Sequence, residues 1–191
     1  MNRAVFLDRD GTLNVERHYV CRWEDFAWIR GAPEAIRRLN EANFRVIVLT
    51  NQAAVAHGLC TETDVMQLHA RMQLDLARYG AHIDAFYYCP FHPDAAVAAY
   101  RRHSAWRKPG LGMFERAMRD WRIDPRLSFV VGDKNTDIEP GRALGMTTLL
   151  VLTGYGAEEA AHTGAHYVVS DVAEAVDQIL ALCATSPSKI A

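Results

Sequence analysis

Acidic side chains follow two short apolar segments of this 191-residue sequence. Asp8 and Asp10 come directly after Ala4–Leu7, and Asp133 follows the segment 128–131 with one glycine between them. A carboxylate at the end of a buried strand is costly unless a cation or hydrogen bonds compensate its charge. Carboxylate oxygens are also the ligands that hard divalent cations prefer in proteins. The spacing therefore predicts a site for such a cation.

A hydroxyl, an ammonium and a further carboxylate occupy comparable positions. Thr50 follows the β-branched segment 45–49, Lys108 precedes a helical pattern, and Asp137 lies four residues beyond Asp133. Taken singly, these groups fit a turn, a polar loop, a helix N-cap or a solvated charge pair. Taken together with the preceding aspartates, these groups place several carboxylates, a hydroxyl and a lysine on one rim of the predicted sheet. A divalent cation with a bound phosphate accounts for all of them.

Short apolar segments alternate with amphipathic ones along the chain. The apolar runs are continuous rather than alternating, which is typical of parallel strands buried on both faces. The predicted strands are Ala4–Leu7, 45–49, 85–88, 128–131, 148–152 and an edge strand at Tyr167–Val169. The predicted helices are 33–43, 61–79, Gly112–Trp121, 137–144 and 171–182. The second of these has the clearest start, because Thr61 and Asp64 resemble a capping box.

This alternation predicts an α/β fold with a doubly wound, Rossmann-like parallel sheet. In such sheets the ligand binds beyond the carboxyl ends of the strands, near the point where the strand order reverses. Asp8, Thr50 and Asp133 all follow predicted strands, so the sheet would bring them to one edge. We expect a single domain over 1–183 and a C-terminal tail over 184–191.

The bulk composition argues against several other classes of protein. The formal net charge is −2, and no basic run marks a nucleic-acid surface. No apolar stretch has the length of a membrane span, and the short apolar run before Asp8 is not a signal peptide. The cysteines show no disulfide pattern; they are Cys21, Cys60, Cys89 and Cys183. We therefore expect a cytoplasmic protein that binds neither nucleic acid nor membrane.

Four motifs, in this order, resemble those of the haloacid dehalogenase-like superfamily. They are Asp8-x-Asp10-Gly11-Thr12, Thr50, Lys108 and Gly132-Asp133-x3-Asp137. The resemblance implies that Asp8 is a nucleophile that forms an aspartyl-phosphate, and that Asp10 is the general acid and then the base. It also implies Mg²⁺ bound by Asp8, the backbone carbonyl of Asp10 and Asp133. Asp137 would support this metal site rather than contact the ion.

The same resemblance assigns the phosphate and substrate contacts. Thr50, Lys108 and the amides of the loop after Asp8 would hold the phosphate oxygens. The loop residues are Arg9, Gly11 and Thr12, and further substrate contacts are expected at Asn14, Asn51, Gln52, Arg107 and Lys134.

No separate cap domain is expected, because the segments 13–45 and 53–106 hold only loops, two helices and one strand. Among capless relatives the chain resembles the heptose-bisphosphate 7-phosphatases, with the histidinol-phosphate phosphatases as a sister group. The segments that carry this likeness are 6–14, 50–52, 87–93, 107–109 and 131–134, with Gly154 and Gly156 after the fifth strand.

This likeness implies a Mg²⁺-dependent phosphatase that removes the 7-phosphate of D-glycero-D-manno-heptose 1,7-bisphosphate. A phosphatase for histidinol phosphate or another small metabolite is the alternative. A non-catalytic domain that binds a phosphorylated ligand is a more distant one, and the intact Asp8, Asp10 and Lys108 argue against it. The expected partner is a small phosphorylated sugar, and the expected state is a monomer.

One departure from both relatives lies in the loop before Lys108. The relatives carry a structural zinc there, held by Cys and His with a late Cys-x-Cys, where this chain has 104–106 as Ser-Ala-Trp. Cys89, His92 and His103 supply three ligands, whereas structural zinc takes four. The sequence therefore disfavours a structural zinc, without deciding whether these three residues bind another metal. Five further histidines are expected at the surface or at helix caps, namely His57, His69, His82, His162 and His166.

Overall fold

The computed structural model describes residues 1–185, which form six strands and seven α-helices. The strands are β1 (Ala4–Leu7), β2 (Arg45–Asn51), β3 (Ala85–Cys89), β4 (Phe129–Gly132), β5 (Thr147–Val151) and β6 (Tyr167–Val169). The helices are α1 (Ala32–Glu41), α2 (Ala53–Ala56), α3 (Glu62–Ala77), α4 (Gly112–Trp121), α5 (Asn135–Ala143), α6 (Gly156–Glu159) and α7 (Val172–Thr185). Single 3₁₀ turns lie at Trp23–Asp25, Ala98–Tyr100, Pro125–Leu127 and Ala160–His162.

The strands form one parallel sheet in the order β3-β2-β1-β4-β5-β6. The order reverses at β1, which lies between β2 and β4. Leu7, the last residue of β1, is in register with Val48 of β2 and Val131 of β4. The residues that follow these three strands therefore emerge at one edge, where a doubly wound sheet binds its ligand. The predicted fold class is confirmed.

Both faces of the sheet are covered by helices, so successive residues of a strand enter opposite cores. In β1, Val5 and Leu7 pack into the core shared with α1, α3 and α7, whereas Ala4 and Phe6 pack into the core shared with α4. All four are at most 1% exposed. Burying a large apolar side chain contributes about 1.5–3 kcal/mol. Two-sided burial therefore requires the continuous apolar segments seen in the sequence.

Helix α3 begins with the capping box that the sequence predicts. The Thr61 hydroxyl accepts from the Asp64 N–H at 3.2 Å, and the Asp64 carboxylate accepts from the Thr61 N–H at 2.8 Å. Such a cap stabilises a helix by about 1 kcal/mol. The apolar face that follows, including Leu68, Met72 and Leu76, is buried against the sheet.

Most predicted elements are confirmed with small shifts at their ends, but two short helices were not predicted. Strand β2 continues to Asn51 because Thr50 and Asn51 pair with Tyr88 and Cys89 of β3. Helices α2 and α6 have four residues each, which is too short for a helical period to show in a sequence.

The C-terminal helix is longer than predicted. Helix α7 runs to Thr185, so residues 184 and 185 belong to this helix rather than to the predicted tail. The remainder of that tail, 186–191, lies outside the described residues. No helix within 1–185 is both long enough and apolar enough to cross a membrane.

No inserted domain lies over the carboxyl edge of the sheet in the described part of the chain. Between β1 and β2 the chain forms a loop, one 3₁₀ turn and α1. Between β2 and β4 it forms α2, α3, β3 and α4 with their connecting loops. The predicted absence of a separate cap domain agrees with this element order.

Candidate active site

A cavity of about 440 Å³ opens at the carboxyl edge of the sheet. Its acidic lining residues are Asp8, Asp10, Glu16 and Asp137, and its basic or imidazole residues are His18, His57, His92, Arg107, Lys108 and Lys134. The other lining residues are Tyr19, Thr50, Asn51, Gln52, Ala53, Thr136 and Tyr155. The fold thus brings together polar groups from the ends of β1, β2 and β4 and from the loop before α4.

Lys108 joins two carboxylates in the cavity floor. Its Nζ lies 2.7 Å from Asp8 Oδ1 and 2.6 Å from Asp137 Oδ1, and it donates to the Leu49 carbonyl at 2.5 Å. Burial alone would lower the pKa of Lys108, but Asp137 and Asp8 outweigh burial and raise it. The ammonium therefore keeps its charge, and it is placed to neutralise an anion bound beside Asp8.

Asp8, Asp133 and Asp137 form an acidic cluster, with ligand oxygens that all lie within 4.8 Å of one another. Burial, together with Asp8 and Asp137, raises the pKa of Asp133 to about 8. Burial, together with Asp137, outweighs Lys108 and raises the pKa of Asp8 to about 6. Asp133 Oδ1 is buried without a hydrogen-bond partner. This set fits a hard divalent cation such as Mg²⁺, which would meet the unpartnered oxygen and relieve the repulsion between the carboxylates.

Two glycines enclose the Asp133 carboxylate. Gly11 (φ +84°) and Gly154 (φ +57°) approach it from the loops after β1 and β5, and a Cβ on either would lie 2.2 Å from Asp133 Oδ2. That oxygen accepts from the Tyr155 N–H at 2.9 Å, and the Thr153 hydroxyl donates to the Gly11 carbonyl at 2.6 Å. The two loops are therefore locked around one carboxylate, which explains why side chains are absent at both positions.

Asp10 is surrounded by hydrogen-bond donors rather than by carboxylates. The Arg9 guanidinium donates to its two oxygens at 3.0 and 2.8 Å, and the amides of Asn14 and Gln52 donate at 3.0 and 2.9 Å. Burial alone would raise the pKa of Asp10, but Arg9 and these hydrogen bonds outweigh burial and lower it. Asp8 and Asp10 therefore lie in opposite electrostatic environments, Asp8 among carboxylates and Asp10 among hydrogen-bond donors.

The end of β2 positions Lys108 and Thr50. Asn51 Oδ1 accepts from the Lys108 N–H at 3.0 Å, and Asn51 Nδ2 donates to the Lys108 carbonyl at 3.1 Å. The Thr50 hydroxyl accepts from Gln52 Nε2 at 2.8 Å. Because Asn51 holds the backbone of Lys108 on both sides, the lysine is fixed relative to the strand that carries Thr50.

Similarity to known proteins identifies the family. Residues 105–175 match a family model described as HAD-hydrolase-like. The chain is 43% identical to a D-glycero-beta-D-manno-heptose-1,7-bisphosphate 7-phosphatase from Rhodopseudomonas palustris, over 75% of this chain and 79% of that protein. The chain belongs to the haloacid dehalogenase-like phosphatases.

Two further relatives agree with this family. The phosphatase is 37% identical to an enzyme of the same name from Photorhabdus laumondii, over 90% of this chain and 92% of that protein. It superposes with a TM-score of 0.85 on the crystal structure of D,D-heptose 1,7-bisphosphate phosphatase from B. bronchiseptica complexed with magnesium and phosphate. That pair is 30% identical and covers 94% of this chain and 99% of the other. The family predicted from the four motifs is confirmed.

The site residues predicted for this phosphatase form two layers. The layer that lines the cavity consists of Asp8, Asp10, Thr50, Asn51, Gln52, Arg107, Lys108 and Lys134. The layer beneath it is buried and consists of Arg9, Gly11, Thr12, Asn14 and Asp133. In this deeper layer the side chains of Arg9 and Asn14 bind Asp10. Any contact of Arg9 or Gly11 with a phosphate would therefore come from backbone amides.

Arg107 and Lys134 add positive charge to the cavity wall. An Arg107 guanidinium nitrogen donates to the Phe91 carbonyl at 3.4 Å, and burial lowers the pKa of Arg107. Lys134 Nζ lies 4.0 Å from the centroid of the Tyr155 ring, a cation–π contact. Both side chains line the cavity, and both contact neighbouring groups; their role as substrate contacts stays a prediction.

Several wall residues of the phosphatase were not predicted from the sequence. Tyr19, His57 and His92 form an aromatic rim, with ring centroids 6.0 Å apart for Tyr19 and His57 and 5.2 Å apart for His57 and His92. His57 was expected at the surface or at a helix cap; it is the C-cap residue of α2 and also lines the cavity. Their short distance in sequence from the motifs could have predicted a place in the cavity wall, since Glu16 and Tyr19 follow the first motif and His57 follows the second.

The expected surface or cap position of His69 was wrong. Its side chain lies in the buried face of α3 and is 6% exposed. The ring stacks on Phe86 with centroids 4.4 Å apart, and Nε2 lies 3.4 Å from an Arg9 guanidinium nitrogen. Burial, together with Arg9, lowers the pKa of His69 to about 3. The spacing of His69, four residues after Val65 and three before Met72, could have predicted its place on the apolar face of α3.

Proposed function

We propose that this phosphatase hydrolyses the 7-phosphate of D-glycero-D-manno-heptose 1,7-bisphosphate, with Mg²⁺ and through an aspartyl-phosphate on Asp8. The observation that carries the proposal is the 2.7 Å pair of Asp8 and Lys108 in the floor of an open cavity whose wall holds further cations. The names of the relatives that are 43% and 37% identical support the choice of substrate.

Mg²⁺ would be held by Asp8, Asp133 and the backbone carbonyl of Asp10. The presence of magnesium and phosphate in the B. bronchiseptica enzyme supports this assignment. When bound, the ion supplies positive charge against the phosphoryl oxygens. Asp137 would orient its neighbours instead, because Lys108 occupies its Oδ1 at 2.6 Å and the Lys134 N–H occupies its Oδ2 at 3.1 Å.

The chain's own residues divide the reaction into two steps. In the first, an Asp8 oxygen attacks phosphorus, the bond from phosphorus to the sugar oxygen breaks, and Asp10 gives that oxygen a proton. In the second, Asp10 takes a proton from water, whose oxygen attacks phosphorus and restores the Asp8 carboxylate as phosphate leaves. Lys108 and Thr50 hold the phosphoryl oxygens in both steps. The donors that lower the pKa of Asp10 favour the carboxylate that the second step requires, and they make the protonated form of the first step a stronger acid.

The charges of the cavity wall favour a substrate with two anionic groups. Lys108 lies at the floor beside Asp8, whereas Arg107 and Lys134 line the wall. These cations would attract a second phosphate, and they would repel the ammonium group of histidinol phosphate. Glu16, also in the wall, would accept hydrogen bonds from sugar hydroxyls. Heptose 1,7-bisphosphate meets these requirements better than histidinol phosphate.

We further propose that the enzyme acts as a monomer in the cytoplasm. All groups used in the two steps come from one chain, so no partner subunit is needed to complete them. The cysteines of the described part are unpaired, as expected in a reducing compartment. A formal net charge of −2 offers no support for nucleic-acid binding. Light scattering of the purified protein tests the monomer directly.

Phosphate release from heptose 1,7-bisphosphate and histidinol phosphate, measured side by side in Mg²⁺, tests the proposal. We expect the heptose to be preferred, activity to vanish in EDTA, and Mg²⁺ to restore it. Asp8→Asn should abolish turnover because it removes the nucleophile, whereas Asp25→Asn, at an exposed position, should not change the rate. Preference for histidinol phosphate would contradict the substrate. Unchanged turnover in Asp8→Asn would contradict the mechanism, and no release from either substrate would support a binding role.

A further inference from the structure

The loop between β3 and α4 carries much of the cavity wall. It spans residues 90–111, has one 3₁₀ turn at Ala98–Tyr100, and contributes His92, Arg107 and Lys108 to the cavity. A loop of this length has many conformations available and must be held at several points if its side chains are to be placed accurately. Asn51 fixes the C-terminal part of the loop at Lys108. The N-terminal part needs contacts of its own.

The three candidate metal ligands in and beside this loop, Cys89, His92 and His103, do not gather at one point. Cys89 is 0% exposed and packs in the core with Met113 and Phe114. His92 lines the active-site cavity, whereas His103 lines a separate surface cavity. Within residues 1–185, three or more potential ligand atoms gather within 4.8 Å only in the aspartate cluster of the active site. The placement of these residues therefore does not fit a structural zinc.

Glu62 contacts the loop from the first turn of α3. Its Oε2 accepts from the Tyr88 hydroxyl at 2.8 Å, and its Oε1 accepts from the Tyr100 hydroxyl at 2.9 Å. Burial and Glu62 raise the pKa of Tyr88 to about 12, and the hydrogen bond to Glu62 raises that of Tyr100. Both phenols therefore stay protonated at neutral pH, and each can donate to a separate oxygen of the same carboxylate.

Aromatic and backbone contacts extend this attachment along the loop. The Phe91 ring lies 6.0 Å from the Tyr100 ring, and the Arg102 guanidinium lies 3.6 Å from the Phe91 centroid. The Val97 N–H donates to the Ala56 carbonyl of α2 at 3.0 Å. The Phe91 carbonyl in turn accepts from Arg107. A continuous chain of contacts thus runs from Glu62 to a cation in the cavity wall.

We propose that Glu62 is a positioning residue that anchors the 90–111 loop through Tyr88 and Tyr100, in place of a metal ion, and so places His92 and Arg107 for substrate binding. The role in substrate binding rests on the proposed function, whereas the anchor itself does not. Glu62 does not line the cavity, so its effect on catalysis must pass through the loop.

Glu62→Ala tests the anchor, with Glu115→Ala as a matched control. Both glutamates lie in the first turn of a helix, so the control reproduces the change at a helix N-terminus. Glu62→Ala should raise KM for heptose 1,7-bisphosphate about fivefold, the scale of one lost hydrogen bond. The kcat for p-nitrophenyl phosphate, which needs only the catalytic groups, should change by less than about twofold. Glu62→Gln should recover part of the KM, because one acceptor oxygen remains.

A double variant and two measurements without substrate complete the test. Adding Tyr100→Phe to Glu62→Ala should raise KM no further, because the hydrogen bond between Tyr100 and Glu62 is already lost in Glu62→Ala. Amide hydrogen exchange in 90–104 should be faster in Glu62→Ala than in Glu115→Ala, and the purified wild type should contain no stoichiometric zinc. Unchanged KM and exchange in folded Glu62→Ala, equal losses on both substrates, or one bound zinc per chain would overturn the proposal. If the wild type does not turn over the heptose, the exchange rates still decide whether the anchor exists.

Discussion

Asp8 and Asp10 are two residues apart in sequence, yet their surroundings are opposite in charge. Asp8 shares a buried cluster with Asp133 and Asp137, and its pKa is raised to about 6. Asp10 is bound by the Arg9 guanidinium, and its pKa is lowered. A cation relieves the first environment, whereas the second is already compensated by the protein. Substitutions in the two environments should therefore differ in their response to Mg²⁺.

Asp133→Asn should make the stability of the protein insensitive to Mg²⁺. In the wild type, Mg²⁺ at about 100 times its dissociation constant should stabilise the fold by about 2.7 kcal/mol and raise Tm by several degrees. The variant removes a metal ligand and a carboxyl group whose ionisation is opposed by burial and by Asp8 and Asp137, so its Tm without Mg²⁺ should be equal or higher. Thermal unfolding with and without Mg²⁺ measures this, with Asp25→Asn as the exposed control. A Tm shift in Asp133→Asn as large as that of the wild type would exclude this residue as a ligand.

Arg9→Lys should lower both activity and stability although the charge is kept. The Arg9 guanidinium is 0% exposed and also donates to the Val20 carbonyl at 2.6 Å and to Gln52 Oε1 at 3.1 Å. An ammonium cannot reproduce this fork of donors, so Asp10 should lose its orientation. We expect kcat to fall about 10- to 100-fold and the free energy of unfolding to fall by about 1–3 kcal/mol. The control is Arg17→Lys at the surface; equal kinetics in the two variants would refute the role of Arg9.

At the scale of elements, the loops after β1 and β5 pack around the Asp133 carboxylate. Gly154→Ala tests the importance of this packing. A Cβ at Gly154 would lie 2.2 Å from Asp133 Oδ2 and 2.7 Å from Gly11 Cα. Gly145 has a similar left-handed conformation (φ +78°), but a Cβ there would meet no other atom within 4 Å, so Gly145→Ala adds backbone strain alone. We expect about 1 kcal/mol of destabilisation for Gly145→Ala and about 1–3 kcal/mol more for Gly154→Ala.

Activity separates the two glycine variants further. Displacing Asp133 should lower kcat for Gly154→Ala at least about tenfold, because small misplacements of catalytic groups are costly. Gly145→Ala should retain the wild-type kcat. Urea unfolding and phosphate release on both proteins measure the two effects. Similar losses in the two variants would mean that backbone strain, rather than the contact with Asp133, explains the glycine at 154.

Elements with a strong local signal were predictable. The strand Ala4–Leu7 and the helix Gly112–Trp121 have the predicted bounds. Apolar runs and helical periods depend only on residues that are close in sequence, so a sequence alone reveals them. The same holds for the cap at Thr61. The shared position of Asp8 and Thr50 in the cavity was predictable for another reason, since both residues follow predicted strands and strand ends share one edge of a parallel sheet.

Features that depend on distant contacts were not predictable. Glu62 accepts hydrogen bonds from the hydroxyls of Tyr88 and Tyr100, which lie 26 and 38 residues further along the chain. His57 reaches the cavity rim through the four-residue helix α2, which has no visible period. In each case a loop conformation decides which side chains meet, and loop conformations are set by tertiary packing rather than by local pattern.

At the scale of the whole molecule, the charged groups of the active site lie at the carboxyl edge of the sheet, and an apolar core packs on each face of the sheet. Arg9 lies between these regions, fully buried beneath Asp10 and beside His69 of α3. Burial and the neighbouring Arg9 cation both lower the pKa of His69, so this histidine is neutral in the folded protein at neutral pH. The fold therefore carries an acid-sensitive group in its core, away from the surface.

The stability of the protein should fall with acid through His69. Its pKa is lowered from 6.5 to about 3 in the folded protein, so below pH 6.5 the unfolded chain binds a proton that the folded protein does not. This contribution is present above pH 6.5 and is lost at up to about 1.4 kcal/mol per pH unit as the pH falls toward 3. His69→Gln keeps an acceptor for Arg9 without titrating, so between pH 6.5 and 5 it should lose about 2 kcal/mol less than the wild type. Urea unfolding across this range measures both slopes, with His162→Gln as the exposed control; parallel slopes for wild type and His69→Gln would show that this histidine does not set the acid limit.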